Sequence, residues 1–267
     1  MDTWTLEKPS KLELGQVHRI EVQLVEGAVD VVGTDDQATL ELSELEGEPL
    51  RVRSRGGNVT VDYERPLPRG LRGWLPFRGR RRAVLSLAVP RDCQVELHVV
   101  SASLMVGGLR APVLARSVSG EITLAGLGGT ADAQTVSGAV QASGVTGDLT
   151  AKTVSGDLTV AEGGGGSVRA STVSGAVAVD LLASGERDIN LSSVSGDLTV
   201  RLPEASDLQV KLQSASGQVA STFEELEHDH TPGRHAARGR LGAGTGRLRA
   251  TSASGHVALL RRAPEVS

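Results

Sequence analysis

One feature constrains this chain above all others: a four-residue signature, Ser/Thr-x-Ser-Gly, that occurs seven times in its second half. Its glycines are Gly120, Gly138, Gly156, Gly175, Gly196, Gly217 and Gly255, and the successive spacings are 18, 18, 19, 21, 21 and 38 residues. A near-constant period of this size marks a repeat architecture, in which each unit is too small to bury its own apolar face and must stack on its neighbours. Aligned on the glycine, the apolar columns fall at regular positions. Two before it stand Val118, Val136, Val154, Val173, Val194, Ala215 and Ala253. Two after it stand Ile122, Val140, Leu158, Val177, Leu198, Val219 and Val257. Four after it stand Leu124, Ala142, Val160, Val179, Val200, Ser221 and Leu259. A period of two across the glycine is the side-chain alternation of a strand with one buried face, and helical spacing does not fit.

The chain is therefore expected to be all-β, a right-handed parallel β-solenoid with glycine at a corner that needs positive φ or close backbone approach. About eight coils from Val99 onward would make a rod roughly 40 Å long at ~4.8 Å per coil. The glycines Gly120, Gly129, Gly138, Gly147 and Gly156 also show a nine-residue half-repeat, which predicts two strands and two turns per coil. Three sides of six residues would satisfy the same period. The last gap of 38 holds either a coil without the signature or a long insertion. Propeller blades need ~40 residues each, collagen needs glycine at every third position, and Gly163 to Gly166 lacks the aspartate of a calcium-binding β-roll.

The first hundred residues lack the signature but read as short strands at 17–25, 28–32, 38–42, 50–54, 58–63, 83–89 and 94–100, with turns at Glu26-Gly27, Gly33 to Asp36 and Gly56 to Asn58. The expected organisation is a β region over 1–98 capping the solenoid, repeats over 99–262 with Ser101-Ala102-Ser103 as a degenerate first coil, and a tail over 263–267. Aromatic residues are only 2% of the chain, so its core must be aliphatic. The single cysteine, Cys93, excludes an internal disulfide and reads as a small buried hydrophobe. Met1 to Gly15 has no apolar run of a signal peptide, and no segment approaches the ~20 apolar residues of a transmembrane helix. The expectation is a cytoplasmic protein, with peripheral membrane binding as an option. The net charge of −4 argues against a general nucleic-acid binder.

The segments Val29-Asp30-Val31-Val32-Gly33 and Leu87-Ala88-Val89-Pro90, with the repeated Thr-Val-Ser-Gly-Asp-Leu-Thr-Val, carry a family resemblance. Over nearly its whole length the chain resembles a bacterial β-strand-repeat family labelled "putative adhesin" and long filed as a domain of unknown function. The resemblance implies a β-solenoid, with some members linked to cell-envelope stress, and implies no catalytic residue.

Five groups of residues are candidates for chemistry. The segment 65–82 holds Arg65, Arg69, Arg72, Arg78, Arg80, Arg81 and Arg82 with no acid, and carries Trp74 and Phe77, two of the five aromatics in the chain. It contributes +7 and leaves −11 for the remainder, which suits an anionic membrane surface or an acidic protein partner; a hairpin tip folded over one end of the rod is the plainer reading. The serines one before each glycine, Ser119, Ser137, Ser155, Ser174, Ser195, Ser216 and Ser254, and the hydroxyls three before it, are expected to form a flat polar face. That face would either bond to turn backbone or bind a repetitive ligand. Glu121, Asp157 and Asp197 follow three of the glycines and read as solvated. His228, His230 and His235 lie in what reads as a polar loop and are a weak metal candidate. Gly163 to Ser167 lacks the lysine of a phosphate-binding loop and reads as a loose turn. No catalytic triad or cofactor motif is visible, so no cofactor is expected. The leading expectation is a non-enzymatic binding or scaffold protein with possible self-association. Its alternatives are a bactofilin-like scaffold that polymerises end to end and a β-helix carbohydrate-active enzyme.

Overall fold

The computed structural model describes residues 2–64, 81–182, 187–231 and 234–262. Within them are 24 strands and no helix, hence no helix long and apolar enough to cross a membrane. The fold is a parallel β-solenoid capped by antiparallel strands on both faces at its N-terminal end and on one face at the other.

Each repeat forms two short strands, one on either side of the signature, as in Ala131–Gln134 and Val140–Ser143. The first pairs in parallel with Val113–Arg116 and Leu149–Lys152, and the second with Ile122–Ala125 and Leu158–Gly163. The coil is thus two-sided. The steps are in register, apart from one shift between Val160 and Gly163 where Leu158–Gly163 meets Val177–Leu181, so Ile122 lies over Val140 and Val140 over Leu158. One coil buries few large side chains, for example Ile122, Leu124 and Leu127 with Ala131 and Ala133. Each Leu or Ile is worth about 1.5–3 kcal/mol of gross burial, most of it offset by chain entropy of ~1–2 kcal/mol per residue. Stability therefore resides in the stack rather than in the single coil.

The alternation does not run unbroken through the corner, and this corrects two expectations. In the coil around Gly138, residues 131, 133 and 135 face inward, 136 and 137 both face outward, and 138, 140 and 142 face inward again. The corner inserts one extra outward residue and shifts the phase of the strand that follows. The valines two before the glycine, expected in the core, are consequently exposed: Val136 by 44%, Val154 by 47%, Val173 by 45% and Val194 by 53%. The hydroxyls three before it, expected on the polar face, are buried instead: Ser117, Thr135, Thr153, Thr172, Ser193, Ser214 and Ser252. Each accepts a hydrogen bond from the N–H of its own signature glycine, at 2.7–3.1 Å. A buried backbone donor that the corner pulls out of the ladder is satisfied in this way.

The opposite corner requires the left-handed conformation. Gly108, Gly126 and Gly144 occupy equivalent positions with φ of 70°, 59° and 62°, and Glu162 stands next in that column with φ of 56°. A side chain in this region is strained by roughly 1 kcal/mol. Glu162→Gly is therefore expected to raise stability by about 0.5–1 kcal/mol. Thermal unfolding checks this, and an unchanged or lower midpoint would remove the strain account.

The last coils are not stacked in chain order. Asp188–Ser193 and Leu198–Leu202 pair with Gly246–Ser252 and Val257–Arg261, and these in turn pair with Leu208–Ser214 and Val219–Ser221. The coil of Gly255 is inserted between those of Gly196 and Gly217. The 38-residue gap is explained by a hairpin, Leu226–Thr231 with Arg234–Leu241, whose second strand pairs antiparallel with Leu208–Ser214 and caps that end. The segment expected to be a polar loop is thus strand.

At the other end, two long strands, Arg19–Thr34 and Gln94–Gly107, each run along both faces of the rod and pair in parallel. The turn expected at Glu26-Gly27 is a bend within one strand, and the expected division at residue 98 falls inside another. Beyond Arg19–Thr34 lie two antiparallel sets: Asn58–Tyr63, Leu50–Arg55 and Asp2–Leu6 on one side, and Arg82–Pro90, Ala38–Glu46 and Ser10–Gly15 on the other. The nine levels from Arg19–Thr34 to the coil of Gly217 span about 40 Å.

Candidate binding surfaces

The signature corners line up as one edge of the rod. From the N-terminal end its outward aliphatic column runs Val25, Val100, Val118, Val136, Val154, Val173 and Val194, and finishes in Ala253 and Ala215. Beside it run Ser119, Ser137, Ser155, Ser174, Ser195, Ser254 and Ser216, all exposed. Their hydroxyls are occupied: each donates to the carbonyl of the valine or alanine column one level away, at 3.2–3.4 Å. Ser and Thr commonly bond to nearby backbone at turns. The edge therefore presents methyl groups to solvent more freely than hydrogen-bond donors.

The basic insertion is rooted beside the same edge. Arg65, Arg69, Arg72, Trp74, Phe77, Arg78 and Arg80 lie outside the described residues. The chain leaves the body at Glu64 and returns at Arg81, whose carbonyl accepts the N–H of Glu26 beside the corner glycine Gly27. Arg81 is buried, with its guanidinium 5.2 Å from the centre of the Tyr63 ring and an ion pair to Glu48 at 2.6 Å. The Tyr63 hydroxyl donates to the Arg81 carbonyl at 3.0 Å, and burial pushes the phenol up to about 12. Arg82 is half-exposed between Glu26 and Glu44. These two arginines anchor the base of the insertion and are taken up by the protein itself.

The acidic positions after glycine clasp neighbouring coils. Asp157 accepts the N–H of Ala176 at 2.9 Å and Asp197 that of His256 at 2.7 Å, while Glu121 accepts from Gln141. Asp148 accepts both the N–H and the hydroxyl of Ser167, and these bonds hold its carboxyl below the usual range. The glycine run is likewise held firmly. Arg187, buried, donates to the carbonyls of Gly163 and Gly164 at 3.2 and 2.6 Å, and burial lowers its pKa. Cys93 is buried, which pushes its thiol up to about 11. In the capping hairpin the backbone register sets His230 opposite His235, while His228 faces Ala237. Among the described residues no group of three or more His, Cys, Asp or Glu side chains converges.

A further surface was not apparent in the sequence. On the other face, near the capping hairpin, a groove of about 670 Å³ is lined by Lys211, Arg238, Arg240, Arg247 and Arg249, with Glu225 and Glu227. Its only forewarning in the sequence is the alternation Arg-x-Arg at 238–240 and again at 247–249.

Residues 15–260 match the family described as Toastrack DUF4097. The chain belongs to this family. No curated protein matches it. Among solved structures, a "putative lipid binding protein" from Parabacteroides distasonis ATCC 8503 is 14% identical to the Toastrack chain. That alignment covers 96% of this chain and 98% of the other, with a TM-score of 0.52. A "putative adhesin" from Bacteroides fragilis NCTC 9343 is 10% identical over 98% and 97%, with a TM-score of 0.50. At such identities the likeness shows the fold alone.

Proposed function

We propose that this Toastrack chain is a non-enzymatic binding scaffold that holds a partner protein along its valine edge, with the basic insertion as part of the same contact. One observation carries this reading: the insertion is rooted at the N-terminal end of the edge on which the exposed valines are stacked in register. The edge supplies an apolar strip with its serine hydroxyls already engaged, and the insertion adds Trp74, Phe77 and a cluster of arginines. Aromatic and arginine side chains are the commonest energetic anchors of protein interfaces. The names of the two structural neighbours are in keeping with a binding role.

End-to-end polymerisation is not favoured. Among the described residues both faces at the N-terminal end, and one face at the other, finish in antiparallel strands; the remaining face ends in the three-residue strand Val219–Ser221, and the outermost antiparallel strands carry charge, as at Lys11 and Glu13 or Glu227 and Asp229. Charged, capped edges block strand addition.

The test is a pull-down and liposome flotation comparing the intact chain with Trp74→Ala/Phe77→Ala and with Val136→Ser/Val154→Ser. The expected result is that each double variant loses at least about tenfold in partner capture, roughly 1.4 kcal/mol, while remaining folded. Retention of the partner by both would remove the proposal. Binding to anionic vesicles in place of a protein would reassign the insertion to a membrane surface.

A further inference from the structure

The basic groove near the capping hairpin is created by the out-of-order stacking. Lys211 lies directly opposite Arg249 on one neighbouring strand and opposite Arg238 on the other. One alternate position along, Gln209 lies opposite Arg247 and Arg240 in the same way. Five cations and one amide therefore form a grid two residues deep across three strands, all on the outward face. Were Gly246–Ser252 stacked last, Arg249 and Arg238 would not flank the same lysine.

Such a grid is unfavourable by itself, because like charges directly opposite on adjacent strands repel. Elsewhere this protein sets cations against acids: Arg169 pairs with Asp188 at 3.8 Å, Arg201 with Asp180 at 3.2 Å, and Arg53 with Asp62 at 2.7 Å. Among the described residues none of the five groove cations forms an ion pair, although Glu227 stands opposite Arg238 in the hairpin. In a chain of net charge −4, this concentration of unmatched positive charge is local. The guanidinium forks suit tetrahedral oxyanions, which they bind through paired hydrogen bonds.

We propose that this groove is an anion site for a phosphate-bearing ligand. The open shape admits a soluble polyphosphate or the head group of a phospholipid. The site lies on a strand face, apart from the valine edge, so it stands independently of the partner-binding proposal.

The test uses the full chain with sodium tripolyphosphate in calorimetry, and with phosphatidylcholine vesicles with and without phosphatidic acid in flotation. Tripolyphosphate is expected to bind and to raise the unfolding temperature. Lys211→Gln/Arg249→Gln should weaken binding at least about tenfold. The same variant should keep or raise the unfolding temperature without ligand, since it relieves repulsion. The charge-matched variant Arg110→Gln/Arg116→Gln, made at exposed positions outside the groove, should bind nearly as the unaltered chain does. Binding to tripolyphosphate alone assigns a soluble ligand, and recruitment to phosphatidic acid vesicles assigns a lipid head group. Absence of binding to both probes would overturn the proposal, as would an equal loss in the charge-matched variant.

Discussion

Replacing Gly156 by alanine is expected to cost at least ~3 kcal/mol, near the upper end for a single added methyl group. Gly156 faces inward at the signature corner, and a Cβ there would lie well under 3.0 Å from the backbone carbonyl of Gly138 one level away. The obstacle is main chain, so no side-chain rotation relieves it. It is also pinned: Gly156 donates to Thr153, and the N–H groups of Val154 and Ser155 both donate to the Val136 carbonyl. Room for the methyl would require lifting one coil from the next and breaking the ladder that joins them. The same geometry repeats at Gly138, Gly175, Gly196, Gly217 and Gly255. None of these has a positive φ, so close approach is the reason for glycine here. Gly126 provides the contrast, with φ of 59° and nothing within 4 Å of the place a methyl group would occupy. Gly126→Ala should cost only ~1–2 kcal/mol from backbone strain. Denaturant unfolding of the two variants decides the matter. If Gly156→Ala is no worse than Gly126→Ala, the close-packed corner is not what the signature encodes.

The glycine column and its flanking aliphatic columns made the parallel stack legible, because they report a spacing that only coils in register require. The fate of the valines two before the glycine was hidden. Simple alternation assigns Val154 to the core, yet the corner spends one extra residue outward and Thr153 goes inside. A hydroxyl that satisfies a buried N–H and one that faces water are the same letter in a sequence. The bend at Gly27 reads as a turn and residue 98 as a boundary, because strands that pass round a corner without a loop have little local signal; only Ser101-Ala102-Ser103, a degenerate signature, marks the corner of the second strand. The groove was hidden for a different reason. Lys211, Arg238 and Arg249 are brought together by stacking order, which lies in long-range pairing and not in any window of sequence.

That stacking order makes a second prediction with a large effect. Ser195 and Ser254 stand on adjacent levels of the exposed serine column, and Ser254 donates to the carbonyl of Val194. Ser216 follows Ser254 at the next level and donates to the carbonyl of Ala253. Adjacent levels are ~4.8 Å apart, inside the Cα separation that a disulfide spans, whereas two levels, ~9.6 Å, lie outside it. Ser195→Cys/Ser254→Cys should therefore close a disulfide under mild oxidation, and Ser195→Cys/Ser216→Cys should not, although the second pair is nearer in sequence. Cys93 is buried and does not compete. Closing a loop of about 60 residues should add roughly 2–4 kcal/mol, less any strain from holding two stacked positions together. Non-reducing electrophoresis and thermal unfolding read the two effects. Efficient closure of the 195–216 pair would mean that the coils stack in chain order, and the groove built from Lys211, Arg238 and Arg249 would then not exist as described. The same insertion bears on folding. The strands Gly246–Ser252 and Val257–Arg261 complete the pairing of coils made earlier in the chain, so Leu208–Ser214 cannot gain its parallel partner until the C-terminal segment is in place. Long-range pairing of this kind is slow to form, because loop closure precedes the contacts that stabilise it.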